Sequence, residues 1–369
     1  MREKGKAPAI FSFFSGIGFL DLGFEENGFE VVYVNEYHPP FLEAYKYARQ
    51  KLRIAPPELG YFEGSIAELI TGGQKRELTK KVDVARNKHR IVGFIGGPPC
   101  PDFSIAGKNR GKHGDNGKLS KIYVDLIVQQ KPDFFLFENV KGLWSTKVHR
   151  HFYEELKKKL VRAGYLLDDH LINSIEYGAP QDRNRIILIG FHKNFIGTKR
   201  GLALPDWARF KKYNKKDLFS LSWPTLERKL TKRSRELPRE LTVEYWFKKN
   251  KVQKHPNRKD HFIPRAAASK FVAIEEGDVT KKSFKRLHRW RYSPTAAYGN
   301  NEVHIHPTLP RRISAAEALA IQSLPTGFEL PHHMTLSNKF KSIGNGVPYL
   351  AAHGVARMIA SVLTKKELK

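Results

Sequence analysis

Apolar and polar positions alternate in blocks along the chain. Residues 8–14, Pro-Ala-Ile-Phe-Ser-Phe-Phe, form a short apolar run that stops at Ser15-Gly16-Ile17-Gly18. Helical spacing follows through Leu20, Leu22 and Phe24 and ends near Asn27-Gly28, which predicts a strand, a glycine turn and a helix. Phe29–Val34 predicts a second strand with Glu36 just past its end, then a helix over 39–53. Lys75–Arg90 is basic, breaks the pattern and is expected to be a mobile connection. Ile91–Ile95 predicts a strand, 119–130 a helix, and Phe134–Phe137 a strand closing on Glu138-Asn139-Val140. In 149–163, Phe152, Leu156 and Leu160 share one helical face, and strands are expected near 165–175 and 185–191. Later, Arg311–Leu324 predicts a helix capped by Ser314 with Glu317 three residues on. Ser342–Pro348 leads into a last helix over about 348–363. Strands alternating with helices predict an open α/β sheet with crossover helices.

Charge changes the picture near residue 191. The chain of 369 residues carries 65 Lys and Arg against 37 Asp and Glu, a formal net charge of +28, so a polyanion is the expected partner, nucleic acid ahead of a membrane surface. Residues 191–310 hold 28 Lys and Arg against 11 Asp and Glu, more than half of that excess. Trp207, Tyr213, Trp223, Tyr245, Trp246, Trp290, Tyr292 and Tyr298 are interleaved with this charge, as on a nucleic-acid surface. One cysteine excludes an internal disulfide and Cys-rich zinc sites. No apolar run approaches the roughly 18 residues of a membrane span, and an intracellular, soluble protein is expected.

That cysteine sits in the most informative stretch. Ile91–Ile95 ends in Gly96-Gly97, and Cys100 follows between Pro99 and Pro101, on stiff, extended backbone. The Gly16-x-Gly18 turn, with Glu36 at the tip of the second strand, suits a nucleoside whose ribose the carboxylate holds. The third glycine of a dinucleotide fingerprint is absent, and Phe19 and Leu20 would crowd a pyrophosphate. An adenosine ligand without phosphates fits better, and S-adenosylmethionine is one. Glu138 lies at a strand end that would face Cys100 if the two strands are neighbours, and Arg183 and Arg185 alternate ahead of the strand Ile186–Gly190. A thiolate, an acid and an electrophilic methyl group point to C5 of cytosine. Thiolate addition at C6 makes an enamine whose C5 attacks the methyl group, and an acid at N3 stabilises that addition.

These blocks resemble, in order, those of the DNA (cytosine-5)-methyltransferase family over nearly the whole chain outside 191–305. Phe14-Ser15-Gly16-Ile17-Gly18 resembles its first cofactor block, Glu36 its ribose-binding acid, and Gly97-Pro98-Pro99-Cys100 its catalytic loop. Gly117-Lys118-Leu119, Glu138-Asn139-Val140 and the Gln181, Arg183, Arg185 triplet follow. Arg311–Glu317 with Gln322–Pro325, and then Gly344–Pro348, complete the series. The resemblance implies a Rossmann-like S-adenosylmethionine-dependent domain, 1–190 plus 326–369, and a smaller basic target-recognition domain, 191–325. Cys100 would be the nucleophile, Glu138 the group at N3, and Arg183 and Arg185 would orient base and loop. Phe14, Gly16, Ile17, Gly18, Glu36, Tyr37, Ser65, Ile66, Pro98, Leu119, Asn345 and Val347 would line the cofactor site. Ser104, Gln181, Arg289, Arg291, Thr295, Tyr298, Asn300 and Asn301 are the candidates for contact with DNA, out of which the target cytosine would be flipped toward Cys100.

Three positions depart from the family pattern. Phe19 replaces the second glycine of a pair, Ser65 replaces the aspartate at the adenine amino group, and Pro101 replaces the glutamine after the cysteine. The methionine end of the cofactor is therefore expected to pack differently and adenine binding to be looser. The implied enzyme is a monomeric, sequence-specific methyltransferase of duplex DNA, of restriction-modification type with a cognate endonuclease. A tRNA cytosine-5 methyltransferase and a catalytically silent nucleic-acid-binding protein are the alternatives.

Overall fold

Strict alternation along β1 (Ala9–Phe13) sends Phe11 and Phe13 to one side of a sheet and Ile10 to the other. The same division holds in β5 (Phe134–Val140), where Phe135 and Phe137 oppose Phe134 and Leu136, and in β7 (Asn184–His192), where Ile186 and Leu188 oppose Ile187 and Ile189. Both faces are therefore apolar, and both must be covered. The computed structural model describes residues 7–99, 115–196, 206–226, 232–263, 268–281, 283–296, 298 and 303–364.

The remaining strands are β2 (Glu30–Glu36), β3 (Tyr61–Glu63), β4 (Val92–Gly96) and β6 (Tyr165–Asn173). Together they make a seven-stranded sheet of order β3-β2-β1-β4-β5-β7-β6. β3 to β5 run parallel, whereas β7 is antiparallel to both β5 and β6. Chain order reverses between β1 and β4, so the carboxyl ends of those two strands open a crevice, the usual ligand position in such sheets.

α1 (Phe19–Glu25), α2 (Pro39–Lys51) and α13 (Tyr349–Thr364) cover one face through Phe24, Leu42, Tyr45, Val355, Met358 and Ile359. α3 (Gly72–Lys88), α4 (Asp115–Gln130) and α6 (Lys147–Arg162) cover the other, and α5 (Lys141–Ser145) leads into α6. The stretch expected to be mobile is thus mostly α3. Leu78, Val82 and Ala85 form its buried stripe, which the flanking lysines and arginines hide in the sequence. β3 is too short to carry a period, and it was not anticipated.

Beyond β7 come α7 (Lys193–Ile196), α8 (Lys215–Ser220), α9 (Val243–Lys249), α10 (Ala268–Ala273), α11 (Ala315–Ile321) and α12 (Leu336–Asn345). Trp223 and Tyr292 pack with Leu218, Leu237 and Leu241, and Trp207, Trp246 and Tyr298 are buried too. Trp223, Trp246, Tyr292 and Tyr298 are thus interior residues and Trp207 packs onto the sheet's own core, so these rings do not line an exposed surface as their interleaving with charge suggested. α11 begins with the expected box, in which the Ser314 hydroxyl accepts from the Glu317 N–H and the Glu317 carboxylate accepts from the Ser314 N–H. Leu336–Thr364 is by length and mean hydropathy (1.2) able to cross a membrane, contrary to expectation, but 67% of its most apolar window is buried inside the protein.

α1 and α13 approach closely at Gly23. A Cβ there would lie 2.7 Å from the Ala352 carbonyl carbon and from the His353 nitrogen, both backbone atoms that cannot rotate away. Helix preference favours alanine over glycine by about 0.5–1 kcal/mol, and overpacking costs about 1–3 kcal/mol. Gly23→Ala is expected to lose about 1 kcal/mol net. Urea unfolding of the two proteins measures this, and an unchanged midpoint would mean that the helices can move apart.

Candidate active site

The crevice begins with the turn after β1. Phe14 and Gly16 both take left-handed backbone, with φ of 52° and 56°. The Gly16 N–H donates to Glu36 Oε2 at 2.8 Å and the His38 N–H donates to Oε1 at 2.9 Å, so Glu36, the last residue of β2, ties the two turns together. Burial raises the Glu36 carboxyl above its ordinary range, and these N–H groups pull it back down. Among the described residues no atom lies within 4 Å of where a Gly16 Cβ would stand, so they leave space open beside the turn. Gly18 serves a different purpose: a Cβ there would meet the Tyr45 ring and the Arg49 guanidinium. Beneath it lies a buried network. Asp21 accepts from Ser12 and Tyr45, and Arg49 donates to the Gly18 carbonyl and to Glu25.

Other expected cofactor residues divide by exposure. Tyr37 is 71% exposed, and Phe14 is half-buried with its ring edge-on to Tyr123. Ile17, Ile66, Pro98 and Val347 are buried, Leu119 is half-buried and Asn345 is exposed. The Ser65 hydroxyl accepts from the Ala67 N–H, capping a short 3-10 helix, while Asn35 donates to the Phe62 and Gly64 carbonyls and fixes the chain before it. Phe19 turns away from the crevice. Its ring packs edge-on against Phe328, 5.3 Å between centroids, and a Cβ on Gly346 would lie 2.2 Å from it. Ser15 Oγ and His38 Nδ1 are buried and make no hydrogen bond among the described residues. Two orphaned polar atoms beside an open glycine turn and a carboxylate suit an adenosine ligand.

The second half of the crevice lies at β4 and β5. Their parallel register sets Gly96 against Phe137, which brings Glu138 beside Gly97 on the approach to Cys100. A Cβ on Gly97 would stand 2.6 Å from Glu138 Oε2, so only glycine fits under this carboxylate. Arg185 Nε lies 2.9 Å from Glu138 Oε1, and antiparallel pairing of β5 with β7 delivers it there. Asn139 donates to the Pro98 carbonyl at 3.4 Å. Burial raises the Glu138 carboxyl, opposed by the charges of Arg185 and then Arg183. Cys100 and Ser104 lie outside the described residues.

Arg183 departs from its expected place at the base. It is fully buried, and it donates to the carbonyls of Ala296 (3.1 Å), Gly344 (2.7 Å) and Asn345 (3.4 Å). Four proposed DNA contacts are also turned inward. Gln181 is wholly buried and donates to Gln322 Oε1, Tyr298 is buried edge-on to Phe340 and His304, and Thr295 donates to the Asp182 carbonyl. Arg291 donates to the Pro224 carbonyl. Arg289, 42% exposed, forks onto Glu276. Partners inside the protein hold the polar groups of Gln181 and Thr295 and bury the Tyr298 ring. Asn300 and Asn301 lie outside the described residues. Sequence reasoning missed Asn139, His38 and Gln322 as functional neighbours, although Asn139 and Gln322 stand inside recognised blocks.

Comparison with known proteins decides the family. The C-5 cytosine-specific DNA methylase family matches residues 9–361. The chain belongs to this family. It is a DNA cytosine-5 methyltransferase that uses S-adenosylmethionine. The methyltransferase is 58% identical over 365 residues to Type II methyltransferase M.NmeDI of Neisseria meningitidis serogroup C, covering 98% of this chain and 86% of that one. It is 29% identical to Type II methyltransferase M.FnuDI of Fusobacterium nucleatum, covering 97% and 96%. Its fold is similar to that of the Dnmt2 methyltransferase of S. pombe, with a TM-score of 0.56 at 15% identity, covering 97% and 99%.

The Glu138–Arg185 pair gives the methyltransferase a pH signature. Arg185 opposes the upward pull of burial on Glu138, so its removal raises that carboxyl further. With Glu138 as the proton donor, Arg185→Met is expected to move the alkaline limb of the kcat/KM profile to higher pH. Overall activity should fall by roughly 10²-fold. Methyl-transfer rates across pH 6–10 measure both, and a limb that stays in place would assign it to another group.

Proposed function

We propose that Cys100, Glu138 and Arg185 carry out methyl transfer to a cytosine flipped out of duplex DNA, within a sequence-specific enzyme of a restriction-modification system. The observation that carries this reading is the Glu138 carboxylate, buried over Gly97 at the start of the loop that holds Cys100 and gripped by Arg185. The Cys100 thiolate adds to C6 of the ring, and Glu138, its proton held by burial, donates to N3 and neutralises the charge that addition creates. S-adenosylmethionine, when bound, supplies an electrophilic methyl group to C5. A base then removes the C5 proton, and the C5–C6 double bond re-forms as the thiolate leaves.

Glu36, Tyr37, Ser15 and His38 would hold the adenosine portion. The Glu36 carboxylate is the acceptor for the ribose hydroxyls, and the two orphaned polar atoms lie beside it. In the same reading, 1–190 with 326–369 forms the catalytic domain and 191–325 the target-recognition domain, whose lysines and arginines follow DNA phosphates. The Type II methyltransferases to which this chain is similar support the restriction-modification assignment. With it go a cognate endonuclease reading the same site, a monomeric enzyme and a cytoplasmic place at the nucleoid.

Duplex DNA containing 5-fluorocytosine tests the chemistry, since fluorine at C5 blocks the final elimination. Incubated with S-adenosylmethionine, the wild-type protein is expected to form a covalent adduct at Cys100, visible by mass, and sequencing of the trapped DNA gives the recognition site. Cys100→Ser should form none and lose turnover while retaining DNA binding. Persistent turnover in that variant would refute the thiolate mechanism.

A further inference from the structure

Gln181, Thr295 and Arg291 hold partners inside the protein, and Glu276 grips Arg289. Other side chains of the basic segment are free. Among the described residues the most exposed large hydrophobic side chains are Ile263, at 80%, and Val272, at 72%. Both lie in the segment that follows β7, and each comes directly after a phenylalanine that is turned inward. Phe262 stacks on Phe340 of α12 with 5.4 Å between centroids, and Phe271 packs against Phe284 at 5.9 Å. The anchored ring fixes the backbone, so the branched side chain beside it is held out in water.

The two positions are tied to one stretch of chain. The Asp260 carbonyl accepts from the Ala315 N–H at 2.8 Å, and the Arg312 guanidinium carbon lies 5.6 Å from the centre of the Phe271 ring, so Arg312–Ala315 touches both. Further bonds stiffen each side. Lys339 pairs with Asp260 at 2.6 Å, and the Arg286 guanidinium donates to the Phe271 carbonyl. Lys254, Arg258, Lys259 and Lys281, on the same part of the chain, are exposed. Single apolar residues on a surface are ordinary. Two of them, each on an anchored backbone and both within a cationic segment, form a surface matched to a partner that is anionic but has apolar parts. Duplex DNA is such a partner: its grooves present the thymine methyl group between rows of phosphates. Isoleucine and valine are stiff at χ1, so little side-chain freedom is lost when they are pressed against a base.

We propose that Ile263 and Val272 are specificity-determining residues whose branched side chains contact base edges in a groove of the DNA, so that part of the sequence is read by apolar contact. This rests on the assignment of 191–325 as the target-recognition domain made above. The exposed lysines and arginines around them hold phosphates and carry the salt dependence.

The recognition site recovered by 5-fluorocytosine trapping supplies the probe. A duplex carrying that site, with ordinary cytosine, and a scrambled duplex of the same composition are each titrated with the full-length protein and S-adenosylhomocysteine at several potassium chloride concentrations. Ile263→Ser and Val272→Ser are each expected to bind the site about tenfold more weakly, the scale of burying such a side chain. Binding to the scrambled duplex should match the wild type, and the slope of log Kd against log salt should stay the same, because no phosphate contact is removed. Ile263→Leu, which keeps the apolar volume, should recover most of the loss. Thermal midpoints of all variants should equal that of the wild type, since both side chains stand in water. Wild-type affinity for the site in both serine variants overturns the proposal, as does an equal loss on the two duplexes or a changed salt slope. A wild-type protein that traps no DNA overturns the recognition reading itself and the proposal with it, an outcome distinct from a wild type that selects its site and serine variants that do so equally well.

Discussion

Three ionic side chains are buried where the carboxyl end of β5 meets the amino end of the antiparallel β7, and the molecule is assembled around keeping them satisfied. Taking a carboxylate or a guanidinium out of water costs several kcal/mol per ion unless partners surround it. Glu138 and Arg185 satisfy each other across one strand pair. Arg183 has no such neighbour on its own strand, and its partners are backbone carbonyls more than a hundred residues away. A buried guanidinium with that requirement can be accommodated only if the end of α12 and the segment at Ala296 both come to it. Folding of the second lobe against the sheet is therefore a condition for burying Arg183.

Ordered this way, the crevice acquires an electrical asymmetry. Its β1–β2 side offers backbone N–H groups and a carboxylate that they stabilise, suited to a neutral sugar. The β4–β5 side offers a carboxyl that burial drives toward its protonated form and a guanidinium that limits the shift. Burial raises both carboxyls, and the shift is opposed differently at the two strand ends. The difference arises from their partners: main-chain donors for Glu36, and a flexible cation for Glu138.

Much of this was legible in the sequence where chemistry and geometry are local. The apolar runs of β2, β4 and β5 end in residues whose type already indicates their use, so Glu36, Gly97 and Glu138 could be placed at strand tips directly. α3 was hidden because charge was read before spacing, and its buried stripe of Leu78, Val82 and Ala85 stands among eleven polar residues. The DNA-facing residues failed for a different reason. Whether a threonine or a glutamine is free to read a base depends on what else bonds to it, and here the partners are distant: Thr295 meets Asp182, and Gln181 meets Gln322. Residue type says what a side chain can do, and only the tertiary structure says whether it is still available.

Phe19 shows the same principle working in the opposite direction. As a replacement for glycine beside a cofactor turn, a phenylalanine ring reads as an obstruction. In the fold its ring is used elsewhere, lying on Gly346 and against Phe328 in the cluster that also holds Leu22, Phe41 and Phe340. The ring occupies the space that a side chain at 346 would need, so the bulk at 19 and the bareness at 346 are two halves of one packing arrangement. Because Gly346 accepts from Gln322 and leads directly to Val347, this contact also presses the cofactor turn against α1. A departure that looked local to the methionine end of the cofactor is instead part of what holds the C-terminal turn in place.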